Sequence, residues 1–432
     1  MDDPKASKHS IMGDDSYKIN LEITLSTEAD QIAIAPGYLQ KQWKKGNRAY
    51  FHYKMDQPIE NFYSIVSARY EVMRDSVLVD NHGKTKKVDL AIYYDPKHSY
   101  NLQSMMQSMK HSLQYCSKNF APYQYRQLRI MEFPRYAGFA QAFANTVPFS
   151  ESIGFVLDQR KDIDIAYKVT AHEVGHQWWG HQIMAAHVEG AGMVLESLAQ
   201  YTSVMVIKNH LPARQLHDYM EFEHHRYFKG RTRLKEKETP LSLAGVDPNY
   251  LQYGKGAVNL FALQHYMGEA PLNRALNNFI KQTKAQSKGE VTHYPNTKEL
   301  IACIRKQAPD SLQNLITDLF EKIILFDNKT TQAKATKRGN QYEVTLELAA
   351  QKYRVDAQGQ EHKIKIDDWV DVGVYAKAKA GKEELIYLKK HKITSPTTKL
   401  TIKVNQLPTK VGIDPLNILM DKKTENNVVK VN

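Results

Sequence analysis

The stretch VTAHEVGHQWWGHQ, Val169–Gln182, concentrates three histidines, one glutamate and two tryptophans in fourteen residues. A helical pattern begins at about Asp164, and residues four apart on a helix lie on the same face. His172 and His176 therefore point the same way and can bind one metal ion, while Glu173 lies beside them without being a ligand. This His-Glu-x-x-His arrangement is typical of zinc hydrolases. Histidines of an ordinary buried core are the alternative, but they would need several buried polar partners.

A catalytic zinc needs a third protein ligand and one position left open for water. Downstream, the apolar helical segment MVLESLAQYTSVMV contains Glu196, and a carboxylate in such surroundings needs a cation. We therefore predict Glu196 as the third ligand, with Glu189 in the loop-like HVEGAG as its rival. His181 and His187 are further candidates. His181 lies five residues past the second histidine and follows a glycine, so we expect both to lie outside the ligand set.

A zinc ion held by two histidines and one glutamate lowers the pKa of water towards neutrality. Glu173 is then predicted to act as the general base, taking a proton as that water attacks a carbonyl and passing it to the leaving amine. A further group must stabilise the oxyanion. The predicted cofactor is one Zn²⁺ per chain, although cobalt or manganese also suits this type of site.

The hydrophobic period changes twice along the chain, from two to helical spacing near Ser99 and back to two after Phe326. We predict an α+β multidomain fold with a disordered tail at 1–17, a partial N-terminal β domain at 18–95, an α-rich zinc metallopeptidase domain at 96–327 and a β-sandwich domain at 328–432. Within the middle region, RIMEF and SIGFV are predicted as short strands.

Composition excludes several other classes of protein. The chain has 432 residues and a net charge of +12, but its lysines are scattered and no nucleic-acid-binding signature is present. Two cysteines, Cys116 and Cys303, do not make a disulfide framework. The N-terminus has no apolar segment of a signal peptide, and no apolar run approaches the length of a membrane span.

The segment HEVGHQWWG followed by Glu196 resembles the gluzincin aminopeptidases, the aminopeptidase N family, which implies a thermolysin-like catalytic domain. YGKGA matches the family's Tyr-x-Lys-Gly segment, so the resemblance assigns oxyanion stabilisation to Tyr253, with Tyr250 as the alternative. PFSESIGF at 148–155 falls where the family carries its Gly-x-Met-Glu-Asn strand. Glu151 matches that strand's glutamate, which binds the free α-amine of the substrate.

The chain departs from the family pattern at several points. Nineteen residues instead of the usual eighteen separate the second histidine from Glu196, and only the glutamate of Gly-x-Met-Glu-Asn is retained. The family's large C-terminal helical domain is missing. Together with the segment EFPRYAGFAQAFANTVPFSESIGF, these departures resemble the peptidase module fused to bacterial ABC-type permeases. That resemblance implies a fragment that is tethered to a membrane permease in a bacterial cell.

The predicted function is therefore that of a zinc-dependent aminopeptidase acting on peptides. One alternative is a zinc hydrolase of other specificity, an endopeptidase or a hydrolase of small substrates, and it predicts that Glu151 points away from the metal. A second alternative is a peptide-binding or regulatory module of a transporter with little turnover. The sequence does not specify the oligomeric state or the preferred N-terminal residue.

Overall fold

The computed structural model describes residues 5–13, 17–158, 163–233, 238–247, 249–286, 293–378 and 383–431. The chain divides into two compact units. The first comprises Met1–Tyr219 and Ser242–Gln313, and the second comprises Met220–Leu241 and Asn314–Asn432. The fold combines helices and sheets, as predicted. The predicted N-terminal β region lies within the same unit as the metal-site helices, and the last two thirds of the helix Ala213–Arg233 belong to the C-terminal unit.

The first unit begins with small antiparallel sheets and continues into one mixed sheet. β2–β5–β4 form a three-stranded sheet, and β1–β6 and β3–β7 form two pairs. In the mixed sheet the order is β11–β10–β9–β8, with β9, β10 and β11 parallel and β8 antiparallel. The strands are β1 Lys18–Ile19, β2 Glu22–Glu28, β3 Ile32–Ile34, β4 Tyr38–Lys45, β5 Arg48–Lys54, β6 Ile59–Glu60, β7 Val66–Ala68, β8 Glu71–Asn81, β9 Lys84–Tyr94, β10 Gln127–Phe133 and β11 Thr146–Ser150.

Helices follow β9 along the chain, and the first of them packs on the mixed sheet. The first packs on β8 and on the second helix, and its apolar face, from Leu102 to Cys116, is buried. The helices are α1 Leu102–Asn119, α2 Ile165–Gly175, α3 Leu198–His210, α4 Ala213–Arg233, α5 Gly256–Met267, α6 Glu269–Gln286, α7 Thr297–Gln307 and α8 Gln313–Ile316. Two π-helical segments, Met193–Ser197 and Tyr250–Lys255, directly precede α3 and α5.

The C-terminal unit contains two four-stranded antiparallel sheets. β12, β13, β14 and β17 form one, and the order in the other is β16–β15–β18–β19. Alternate residues of β13 are buried, as the period-two pattern after Phe326 predicts. The strands are β12 Ile324–Arg338, β13 Gln341–Val355, β14 Glu361–Ile364, β15 Asp368–Lys377, β16 Glu383–Ile393, β17 Thr397–Val404, β18 Pro408–Ile413 and β19 Val428–Lys430.

Two predictions of local structure are wrong. Residues 5–13, part of the predicted disordered tail, are ordered. The N–H of Ile11 donates to the carbonyl of Ala185 at 3.0 Å, and the N–H of His187 donates to the carbonyl of His9 at 2.9 Å. The segment SIGFV forms turns, and the strand lies earlier, at β11. In both places hydrogen bonds between main-chain groups determine the local structure. The pattern of side chains along the sequence does not indicate these hydrogen bonds.

None of the helices in the described part of the chain combines the length and the apolar character that a bilayer crossing requires.

Candidate metal centre

The helix α2 carries the two histidines near its C-terminal end. It begins after Asp164, whose carboxylate accepts a hydrogen bond from the N–H of Tyr167 at 2.9 Å and so satisfies one free donor of the first turn. It ends at Gly175, with His176 as the capping residue. His172 and His176 still face the same side, and both are buried.

Three potential ligand atoms converge in front of this helix. Nε2 of His172 and Nε2 of His176 lie 3.0 Å apart. Oε2 of Glu196, from the π-helical segment before α3, lies 3.2 Å from the first nitrogen and 3.4 Å from the second. Ligands about 2.0–2.1 Å from a tetrahedral zinc ion are separated by about 3.3 Å, so this triangle has the size that such an ion requires.

The hydrogen bonds around the triangle leave its inner atoms free for a cation. Nδ1 of His172 donates to Oε1 of Gln200 at 3.1 Å, and Nδ1 of His176 donates to the carbonyl of Trp179 at 2.8 Å. Both Nε2 atoms therefore present lone pairs to each other. Oε2 of Glu196 is buried and makes no hydrogen bond. Three acceptors facing one another need a cation between them, so the residues fit a metal ion.

The pKa values of Glu196 and His176 also indicate that the centre favours a positive charge. Burial alone would raise the pKa of Glu196, but the adjacent His176 and His172 hold that pKa well below its usual range. Burial lowers the pKa of His176, yet the carboxylates of Glu196 and Glu173 outweigh it and raise the pKa to about 9. A positive charge is therefore favoured between these groups, and a metal ion would supply it in place of a proton.

Glu173 has the surroundings of a proton-transfer group. Its side chain is buried beside the two histidines, and its Oε2 has no hydrogen-bond partner. Burial raises the pKa of the carboxyl group above its ordinary value, while His172 and His176 act in the opposite direction. The N–H of Ala142 donates to the same carboxylate. A raised pKa moves a carboxylate towards the range in which a general base is effective near neutral pH.

Tyr253 lies beside His172, with 5.4 Å between the two ring centroids. It is half-buried and belongs to the π-helical segment Tyr250–Lys255, whereas the alternative, Tyr250, is buried in the same segment. The structure therefore brings together five predicted residues: His172, His176, Glu196, Glu173 and Tyr253.

Glu151 is not in this group. It lies after β11, where a carboxylate oxygen is 3.6 Å from Arg135 and another is 3.9 Å from His98. With Glu132, it forms a separate cluster of titratable side chains. These contacts pair Glu151 with other residues of the protein, and its contact with a substrate amine stays a prediction.

The rival ligands lie outside the triangle as well. Glu189 and His187 are exposed. His181 is buried, and its Nε2 lies 3.2 Å from the carbonyl of Ala142, to which it can donate. Burial lowers the pKa of His181 to about 4. Sequence reasoning missed Gln200, although its position four residues after Glu196 places both side chains on the same helical face.

A cavity of about 300 Å³ opens onto the centre. Its walls include His176 and Glu196 from the centre, Gln141 and Ala142 from the stretch before β11, and Ile11 from the N-terminal segment. A cavity of this size accommodates part of a small ligand or peptide beside the ligand triangle.

Comparison with known proteins relates part of the chain to a peptidase family. Residues 104–317 match the family model described as "Peptidase family M1 domain". A leucyl aminopeptidase of Saccharolobus solfataricus is 25% identical over 193 residues, 41% of this chain and 24% of that protein. A probable aminopeptidase 1 of Sulfurisphaera tokodaii is 25% identical over 187 residues, 40% of this chain and 23% of that protein. The aligned part is thus about a quarter of these relatives' length.

The class defined by the fold and the site is that of the metallopeptidases. More particularly, the chain carries a peptidase family M1 domain, which confirms the predicted resemblance to the gluzincin, aminopeptidase N-like family. The further resemblance to permease-fused modules stays a prediction.

Proposed function

We propose that this chain is a zinc-dependent peptidase that hydrolyses peptide bonds at the centre formed by His172, His176 and Glu196. The observation that carries the proposal is the triangle of two imidazole nitrogens and one carboxylate oxygen, 3.0–3.4 Å apart. When bound, zinc supplies the Lewis acidity that makes water a nucleophile near neutral pH.

Glu173 is the general base of the proposed reaction. Its unpartnered Oε2 is buried at the centre, and its raised pKa favours taking up a proton from the attacking water. The same carboxyl group then gives the proton to the leaving amine. The hydrogen bond from the N–H of Ala142, which itself lines the cavity, helps to orient this carboxylate.

Tyr253 is the proposed oxyanion donor. Its ring centroid lies 5.4 Å from that of His172, and a phenol donates one hydrogen bond to negative charge that develops on the carbonyl oxygen. The phenol acts through this hydrogen bond and does not hold the metal, so its removal leaves the ligand triangle intact.

The relatives named as aminopeptidases favour cleavage at the N-terminus of a peptide. The position of Glu151, paired with Arg135 and His98, favours the second candidate, a zinc peptidase that does not depend on that carboxylate for binding substrate.

The decisive experiment compares Glu173→Gln with Glu189→Gln, a matched change at an exposed glutamate. We expect Glu173→Gln to retain one zinc ion per chain and to lose about 10²–10⁴-fold in peptide hydrolysis, whereas Glu189→Gln retains both. Full activity of Glu173→Gln would contradict the proposed base. Zinc and peptide binding without turnover in the unmodified protein would favour a peptide-binding module instead.

A further inference from the structure

Main-chain hydrogen bonds fix the N-terminal segment 5–13 beside the stretch 185–187, which follows the helix α2. Ser10 and Ala186 form an antiparallel bridge between the two stretches, and a main-chain hydrogen bond lies on each side of this pair. Strand pairing of this kind specifies the register, so each residue of the segment has a defined place. The pairing therefore determines where the next residues of the segment lie.

The segment then forms a tight turn from Ser10 to Gly13. The N–H of Gly13 donates to the carbonyl of Ser10 at 3.1 Å, and the N–H of Met12 donates to Oγ of Ser10 at 3.2 Å. Serine at the first position and glycine at the fourth are typical of such a turn, and the φ of +103° at position 13 favours glycine. Ile11 and Met12 occupy the two central positions, and both line the metal cavity.

The cavity wall that these two residues complete is mainly apolar. Its other large apolar residues are Phe62, Trp179, Met184, Leu195 and Val246. Among the described residues that line the cavity, Glu196 is the one acidic residue and belongs to the ligand triangle, and none is a lysine or an arginine. His181 is neutral near pH 7, because burial lowers its pKa to about 4. Apart from the metal ligands, the cavity therefore offers no charged partner to a substrate side chain.

Part of this apolar wall is uncovered. Met12 and Val246 are 38% and 47% exposed, so both have surface that a bound side chain can bury. Two metal ligands, His176 and Glu196, line the same cavity. Because the carbonyl under attack lies at the metal, the side chain that enters the cavity belongs to a residue next to the scissile bond.

We propose that Ile11 and Met12 are specificity-determining residues, which complete an apolar pocket for the side chain of a residue next to the scissile bond. A leucine there is preferred to an asparagine of the same shape, because the buried amide would lose its hydrogen bonds to water. The proposal rests on the proposed peptidase function and specifies its substrate class. Both residues lie outside the range 104–317 that matches the family model, so the match does not account for this part of the wall.

Two matched pairs of short peptides test the proposal on the zinc-loaded protein. Leucine and asparagine alternate on the N-terminal side of the scissile bond in one pair and on its C-terminal side in the other, and products are identified by mass spectrometry. We expect kcat/KM to favour leucine at least about tenfold in one pair. Met12→Gln and Ile11→Thr, polar replacements of similar size, should lower this ratio to within about threefold. Lys8→Gln, an exposed position of the same segment, should leave it unchanged. An unchanged urea midpoint and one zinc ion per chain verify that each variant is folded.

Binding separates failure of this proposal from failure of the proposed function. Dissociation constants of the same peptides are measured by fluorescence anisotropy with zinc-loaded Glu173→Gln, alone and combined with Met12→Gln. A leucine preference in binding that Met12→Gln removes, without any hydrolysis by the unmodified protein, would refute the peptidase and support the pocket. A ratio below about threefold in both hydrolysis and binding would overturn the pocket, as would a tenfold ratio that persists in Met12→Gln and in Ile11→Thr. An equal gain for all four peptides in Met12→Gln would also overturn it, because the segment would then only obstruct the cavity.

Discussion

Replacing Gln200 by leucine removes a side-chain hydrogen bond that orients His172 from outside the ligand triangle. Oε1 of Gln200 accepts hydrogen bonds from Nδ1 of His172 at 3.1 Å and from the hydroxyl of Tyr219 at 2.9 Å. Leucine has a similar volume and no acceptor, so the change deletes both hydrogen bonds without opening a large cavity.

The expected loss of zinc affinity depends on which hydrogen-bond donor is left without an acceptor. The Tyr219 hydroxyl retains a 2.7 Å contact with Oγ of Ser203, so its loss is partly compensated. Nδ1 of His172 has no such second partner among its described hydrogen bonds and is buried. An unsatisfied buried donor costs about 1–3 kcal/mol. Removal of such outer hydrogen bonds typically weakens metal binding by about 10–100-fold, or about 1.4–2.8 kcal/mol, and the two ranges agree.

The assay is competition for zinc between the protein and a chromophoric chelator at neutral pH, with Gln200→Glu and Tyr219→Phe as controls. Gln200→Glu keeps an acceptor for His172, and Tyr219→Phe leaves the histidine contact intact, so both should bind zinc with nearly the unmodified dissociation constant. A dissociation constant for Gln200→Leu within about twofold of the unmodified value would refute the reasoning.

Three other predictions concern other parts of the chain. Tyr253→Phe should lower kcat by about 10²–10³-fold while the zinc dissociation constant is unchanged, and equal kcat values would exclude the hydroxyl as oxyanion donor. Burial lowers the pKa of His224 to about 4, with its Nε2 donating to the carbonyl of Leu419 at 3.2 Å. The unfolded state therefore takes up a proton first, and stability falls between about pH 6.5 and pH 4. Urea unfolding at pH 7 and pH 4.5 should show about 2 kcal/mol more acid destabilisation in the unmodified protein than in His224→Gln, and equal pH dependence would contradict this. Gly190→Ala should lower the free energy of unfolding by about 2 kcal/mol or more, because φ is +93° and a Cβ would lie 2.3 Å from the Ser242 carbonyl oxygen; an unchanged urea midpoint would count against this strain.

Local periodicity was sufficient to predict the metal helix. The spacing of His172 and His176 depends only on helical geometry, and the carboxylate of Glu196 in an apolar segment marks a buried cation partner. The same helical spacing would have identified Gln200, one turn after Glu196, as a neighbour of the site. Its role depends on the position of His172 in the adjacent helix.

Main-chain hydrogen bonds determine which residues line the cavity, and the sequence did not predict them. Glu151 lies near the family motif in the sequence, but the register of β11 with residues 139–143 brings Gln141 and Ala142 to the cavity instead. Ile11 reaches the same cavity through hydrogen bonds to a segment about 175 residues further along the chain, at Ala185. Neither arrangement produces a hydrophobic period, because main-chain donors and acceptors are the same in nearly every residue.

The loop before Glu196 illustrates a further limit. It contains one residue more than the family spacing, and it passes so close to a neighbouring segment that a Cβ on Gly192 would lie 1.9 Å from the carbonyl oxygen of Gly245. Glycine at this position indicates a close approach of two backbones. The partner segment cannot be identified from sequence, since the contact carries no side-chain signal.

Anomalous diffraction at the zinc edge from crystals of the zinc-loaded protein tests the metal centre itself. The account predicts one peak per chain, about 2.0–2.2 Å from Nε2 of His172, Nε2 of His176 and a carboxylate oxygen of Glu196. A principal peak at the cluster of His98, Glu132 and Glu151, or coordination by Glu189 in place of Glu196, would contradict it.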